Sequence, residues 1–174
     1  MKALMVVVLL LLACLAQVTV APLFPISGAQ ADLPLIAMAV LAVYAGPTTV
    51  MFGLPLAALF LGFGSSRAPG LLVIGYLPLL PLGMVLEEWR VPLNRYARTL
   101  VAGGVTGLWL RGVLAAGAMV SGAPVAIGAL IGQVLIPGLI FDLALLTLAY
   151  VPFRFVGWSG RSMSLRREGY WGSY

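Results

Sequence analysis

Apolar residues run almost unbroken along this chain, and its sparse polar positions divide it into six stretches. Residues 3–21 are apolar after a lone Lys2. The run continues past Cys14 to Leu23 and further apolar runs follow, which predicts a retained first helix rather than a cleaved leader. Residues 22–32, with Pro22, Pro25 and Gly28, read as a loop. Residues 33–63 are apolar but broken at Gly46-Pro47. One helix over that stretch would be about 46 Å long, beyond a hydrocarbon core of ~30 Å, so the break predicts a tight helical hairpin. Its first arm, 33–45, reaches only ~20 Å, which is short for a span unless the bilayer thins or other helices cover it. A loop at 64–70 leads to a fourth span at 71–86. Pro78 and Pro81 lie inside that span, where the carbonyls they free need partners from neighbouring helices. The fifth and sixth spans are predicted at 99–120 and 127–151, around an uncharged loop at 121–126.

The segment Glu87–Arg98 (EEWRVPLNRYAR) interrupts the apolar pattern most strongly. It carries Arg90, Arg95 and Arg98 beside Glu87 and Glu88. Lys and Arg in a short loop mark the cytoplasmic side, and carboxylates count for little in that rule. With six spans, Lys2 and the tail arginines Arg154, Arg161, Arg166 and Arg167 fall on the same side, and Arg67 is the one basic residue opposite. An odd number of spans would put Lys2 or the tail outside. The expected architecture is therefore an all-α integral membrane protein with six transmembrane helices and both termini cytoplasmic. Residues 1–151 form the membrane domain. The tail, 152–174, is basic and aromatic, and its Trp158, Tyr170, Trp171 and Tyr174 suit a headgroup zone.

Composition agrees. The chain of 174 residues is 62% hydrophobic and 9% charged, with a mean hydropathy of +1.10. A soluble domain carries roughly 25% charged residues. The net charge of +5 comes from arginines at helix ends, not from a stripe that could track phosphates, so no nucleic-acid partner is expected. One cysteine and no histidine leave no intramolecular disulfide, no thiolate cluster and no imidazole base. No cofactor, metal or catalytic set is expected.

Two charges, Arg111 and Asp142, fall deep in predicted spans. Each lies about 14–18 Å from the cytoplasmic end of its helix, so the two could pair. A lone charge at the bilayer centre costs at least ~2.5–3.5 kcal/mol, and pairing removes much of that cost. The readings are a structural salt bridge, a lock facing a partner helix, an Arg111 that snorkels outward, or a substrate or ion site. Few polar residues (Gln17, Tyr44, Gln133) stand nearby for a transport route. Gly103 and Gly107 share a helix face with Arg111, while Gly128 and Gly132 fall on one broad stripe with Gly138 and Asp142. All four of these glycines are candidates for close helix packing. Glu87-Glu88 is similar to the glutamate pair of intramembrane prenyl-type proteases, but those enzymes also need histidines. Here the two acids balance the arginines of the loop.

The layout resembles a known family. Leu15-Ala16-Gln17 closes the first helix, Pro22-Leu23-Phe24-Pro25 forms the loop, and Ala31-Asp32-Leu33 opens a short second span. A Gly/Pro break, a Gly-rich loop after the third span and Gly75-Tyr76-Leu77 follow. With the total length, the six spans and the basic tail, this is similar to MreD, the rod-shape-determining membrane proteins of bacteria. Many members carry an aspartate leading the turn after the third span, where this chain reads Leu61-Gly62-Phe63-Gly64-Ser65-Ser66, and the tail beyond Phe155 is longer. The resemblance implies a non-enzymatic scaffold or adaptor of the cell-wall elongation (rod) complex in the bacterial inner membrane. It would support cell shape and peptidoglycan synthesis by binding MreC, the glycosyltransferase RodA with its transpeptidase and, indirectly, MreB. It also implies a fold similar to the substrate-binding subunits of energy-coupling-factor transporters. The alternative function is such a subunit itself, importing a small molecule. Against it, 3–21 has no alanines four apart to dock a coupling subunit.

Overall fold

The short second helix is the centre of the molecule. The computed structural model describes residues 2–24, 30–65, 68–88, 94–123 and 126–155, and these are helices joined by short connections. They are α1 (Lys2–Thr19) with a 3-10 turn at Ala21–Leu23, α2 (Leu33–Tyr44), α3 (Pro47–Gly64), α4 (Pro69–Tyr76), α5 (Leu79–Glu88), α6 (Arg95–Val120), α7 (Ile127–Ala129), a π-helical stretch (Leu130–Leu135) and α8 (Ile136–Phe155). Nine of the twelve residues of α2 are buried, and it packs against α1, α3, α5, α6 and α8. Its shortness follows from that position: protein covers it, so it need not match the bilayer. Five stretches, 4–23, 47–64, 69–86, 95–120 and 130–151, are long and apolar enough to cross a membrane, and α2 is a shorter apolar helix. This fits a multi-pass membrane protein.

Small residues set the approach of the helices. Leu10 packs on Gly53, Cys14 Sγ lies 3.8 Å from the Ala57 carbonyl and Val18 packs on Gly64, so α1 and α3 run parallel. Leu71 meets Gly117 and Leu110 meets Gly75, which makes α4 antiparallel to α6. Gly103 faces Leu146 and Gly107 faces Asp142, so α6 and α8 are antiparallel as well. Successive passes therefore alternate, and the start of α1 lies at the same end of the bundle as the start of α6 and the finish of α8.

Three departures from the sequence reading have local causes. The stretch at 71–86 is two helices, α4 and α5, parted at Leu77-Pro78. Pro78 cannot donate to the Ile74 carbonyl four residues back. The Trp109 indole N–H on α6 donates to that carbonyl instead, at 3.0 Å. Half of the charged segment belongs to helices: Glu87 and Glu88 end α5, while Arg95 and Arg98 lie in the first turn of α6, capped by Asn94 Oδ1 accepting from Ala97 N–H at 2.7 Å. Arg90 lies outside the described residues. The last pass is not one regular helix. Pro137 lacks an N–H and its ring crowds the Gln133 carbonyl, and just before it the backbone widens, with Ile136 N–H donating to the Ile131 carbonyl. The wider turn rotates everything N-terminal to it. Gly128 and Gly132 therefore leave the face of Gly138 and Asp142, and no atom of the described residues stands within 4 Å of where a Cβ would sit on either. α8 also continues past 151 to Phe155, and the rest of the tail lies outside the described residues.

The hairpin turns at Gly46, whose φ of 92° and ψ of 161° lie in a region open essentially to glycine alone. Space is not limiting there, since a Cβ would meet nothing within 4 Å. Gly46→Ala is expected to destabilise the protein by ~1–3 kcal/mol through backbone strain. Reversible unfolding in mixed detergent–SDS micelles, followed by circular dichroism, measures it. An unchanged midpoint would show that the turn tolerates a side chain.

Candidate functional site

A helix that begins inside a bundle must find partners for its first N–H groups there. At the start of α2 each has one. Leu33 N–H donates to Gln17 Oε1 at 2.8 Å, position 34 is a proline with no N–H to satisfy, and Leu35 N–H donates to Asp32 Oδ1 at 2.9 Å. Asp32 is thus the N-cap of α2, and it is only 7% exposed. The Tyr76 hydroxyl, from α4, reaches both oxygens of its carboxylate, at 2.9 and 3.0 Å. The backbone N–H of Asp32 donates to Asp142 Oδ1 on α8, at 2.9 Å.

Asp142 carries the network to α6. Its Oδ2 lies 2.7 Å from Arg111 Nη1, and the same nitrogen donates to the Gly107 carbonyl at 3.2 Å. The Arg111–Asp142 contact has the distance of an ion pair without the alignment of a hydrogen bond, so charge attraction carries it. Exposure of the two side chains is 10% and 2%. Arg111 lies about 24 Å along α6 from Arg95, at ~1.5 Å per residue. Two glycines make the room. A Cβ on Gly138 would stand 2.6 Å from Arg111 Nε and 2.7 Å from Nη2, and one on Gly107 would stand 3.2 Å from Arg111 Nη1 and 3.3 Å from Asp142 Oδ2. Gly138→Ala is therefore expected to push the guanidinium off Asp142 and lose ~1–3 kcal/mol, the usual cost of overpacking. In an Arg111→Ala background the same change should be close to neutral. An equal loss in both backgrounds, in the same unfolding assay, would disconnect Gly138 from Arg111.

The residues singled out from sequence thus separate. Arg111 and Asp142 meet, and Gly107 lies against them. Gly103 packs against Leu146 and Ala39, lower in the same α6–α8 seam. Gln17 joins the cluster, whereas Gln133 is exposed in the π-helical stretch. Tyr44 lies at the far end of α2, among Tyr150 (ring centroids 5.9 Å apart) and the Arg95 guanidinium, 5.9 Å above its ring. The side chains of Glu87 and Glu88 lie outside the described residues. Asp32 and Tyr76 are the site residues to which intramembrane charge alone does not point. The signal for Asp32 was present: an aspartate just before Leu-Pro and an apolar run is a helix start. Its burial was not legible.

All four carboxylate oxygens of Asp32 and Asp142 face a donor or a cation within 3.0 Å. Such a cluster joins α1, α2, α4, α6 and α8 at one level. Chemically it can hold helices in register. Among the described residues no group of three or more His, Cys, Asp or Glu could hold a metal ion. Comparison with family models, with curated proteins and with solved structures yields no match to the chain.

Proposed function

We propose that this protein is a non-enzymatic adaptor of the bacterial inner membrane, acting in the cell-wall elongation complex through contacts between transmembrane helices. It spans the bilayer six times with both termini in the cytoplasm. The observation that carries the reading is the closed polar cluster: the carboxylates and the arginine that could have served a transport path hold α2 in place, and this suits a rigid scaffold. Two further features support it. Lys2, Arg95 and Arg98 belong to one end of the alternating bundle, in line with a cytoplasmic face for that end. Gly128 and Gly132, small residues near the start of the last pass, have open space around them and offer a surface where a second chain's helix could approach closely. The partner of first choice is an MreC-like protein, with a RodA-like glycosyltransferase, its transpeptidase and MreB reached through the complex.

The test is purification of the tagged full chain in mild detergent from the organism that encodes it, followed by mass spectrometry of what accompanies it. The adaptor reading expects an MreC-like protein and the elongation synthases. Recovery of a coupling subunit with an ATPase pair, or of a tightly held vitamin, would replace it with the importer reading.

A further inference from the structure

The polar cluster is closed at its carboxylates and open at its arginine. Arg111 uses one nitrogen inside the bundle, where Nη1 meets the Gly107 carbonyl and Asp142 Oδ2. Its other edge, Nε with Nη2, has no acceptor among the described residues. The side chain is 10% exposed, and neither of these nitrogens is fully enclosed. Gly138 leaves the edge uncovered, since a Cβ there would stand 2.6 Å from Nε and 2.7 Å from Nη2. The surface around it is apolar: Leu108, one turn before Arg111, and Leu139, next to Gly138, line an open groove between α6 and α8. Arg111 lies about 24 Å from the Arg95 end of α6 and about 14 Å from the Val120 end, well inside a hydrocarbon core of ~30 Å and away from lipid headgroups. N–H groups left unmet in hydrocarbon are costly, so this edge calls for an acceptor.

We infer that this edge of Arg111 is a docking site for another protein's transmembrane helix, one that carries an asparagine or glutamine at the same depth. The side-chain carbonyl oxygen of such a residue has two lone pairs, enough to accept from both Nε–H and Nη2–H. A carboxylate would fit the fork as well. Asp142 already supplies the counter-charge, however, and a second acid would stand uncompensated at membrane depth. An amide brings the acceptor without a charge, as polar residues do between membrane helices. A second copy of this chain, related by an axis along the membrane normal, does not supply it. Its exposed Gln133 lies nine residues from Asp142 along the last pass, about 13 Å from the level of Arg111. The inference deepens the adaptor reading by naming the chemistry of the helix it binds, and it rests on that reading only for the existence of a partner.

A photo-crosslinking amino acid in place of Leu108, 45% exposed, tests it with the full chain in the membrane of the organism that encodes it. Mass spectrometry maps the captured segment. The expected result is a transmembrane helix with Asn or Gln at the level of Arg111. Arg111→Lys keeps a cation for Asp142 but lacks the Nε–Nη2 fork. It should reduce the adduct at least ~10-fold, the effect of one lost hydrogen bond to a charged group. Replacing the captured Asn or Gln with leucine should do the same, and it leaves this chain untouched, so the test stands even where Arg111→Lys fails to fold. A captured helix without an amide would overturn the inference. So would an adduct with lipid alone or with a second copy of this chain, the absence of any adduct, or an adduct undiminished by the change on the captured helix. Each of these results, beside elongation proteins recovered in co-purification, would leave the adaptor reading standing. Capture of an amide-bearing helix from a coupling subunit would remove that reading and leave this one.

Discussion

Replacing Arg111 with leucine is expected to cost about 3–5 kcal/mol, because it strands a carboxylate at membrane depth with its partner gone. Asp142, 2% exposed, would keep only the N–H of Asp32. Asp142→Leu should cost at least as much, since it leaves the guanidinium without its counter-charge, with the Gly107 carbonyl still accepting from Nη1, and also orphans that N–H. The double variant separates the worth of the pair from the penalty of breaking it. Two leucines remove both charges, and the remaining deficit should be the orphaned Asp32 N–H, about 1–3 kcal/mol. Reversible SDS unfolding of the four proteins gives the cycle. Losses in the two single variants that simply add in the double would mean the charges act independently, and the ion pair would not be what joins α6 to α8.

Asp32→Ala is expected to lose about 2–4 kcal/mol, from the helix cap at ~1 kcal/mol and from the loss of both carboxylate oxygens that the buried Tyr76 hydroxyl reaches, at ~1–3 kcal/mol. Tyr76 is fully buried, so water cannot replace the aspartate. Tyr76→Phe removes the other half of the contact but leaves Asp32 capping Leu35, and should cost about 1 kcal/mol. In a Tyr76→Phe background, Asp32→Ala should then cost little more than the cap. If Asp32→Asn, which keeps an oxygen for Leu35, proved as damaging as Asp32→Ala in the unfolding assay, charge rather than capping would be the important property of the residue. The same variants bear on function. On the adaptor proposal, these variants should lose their partners in co-purification in proportion to their loss of stability.

Much of the helix layout was legible because it depends on local chemistry. Long apolar runs cannot be left in water, and Gly46-Pro47 cannot continue a helix, so the six stretches and the hairpin could be read directly. The Arg111–Asp142 pair was legible for a related reason: two charges at one depth have few other ways to be satisfied. The glycines divide on the same ground. Gly103 and Gly107 lie in an unbroken helix, where a spacing of four guarantees a shared face. Gly128 and Gly132 are separated from Asp142 by the widened turn before Pro137, and the same spacing no longer carries the face across.

By itself, the sequence determined that the chain is helical, apolar enough to cross a membrane repeatedly, and charged mainly at helix ends. These are properties of short windows, and no distant contact alters them. Only the tertiary structure decided that α2 is the covered centre of the bundle, that Asp32 leaves its loop to cap it, and that Tyr76 and Trp109 serve atoms on other helices. Those facts join residues as far apart as Asp32 and Asp142. Their physical reason is the demand that every buried polar group find a partner where there is no water, and only the packed bundle shows which partner is near enough.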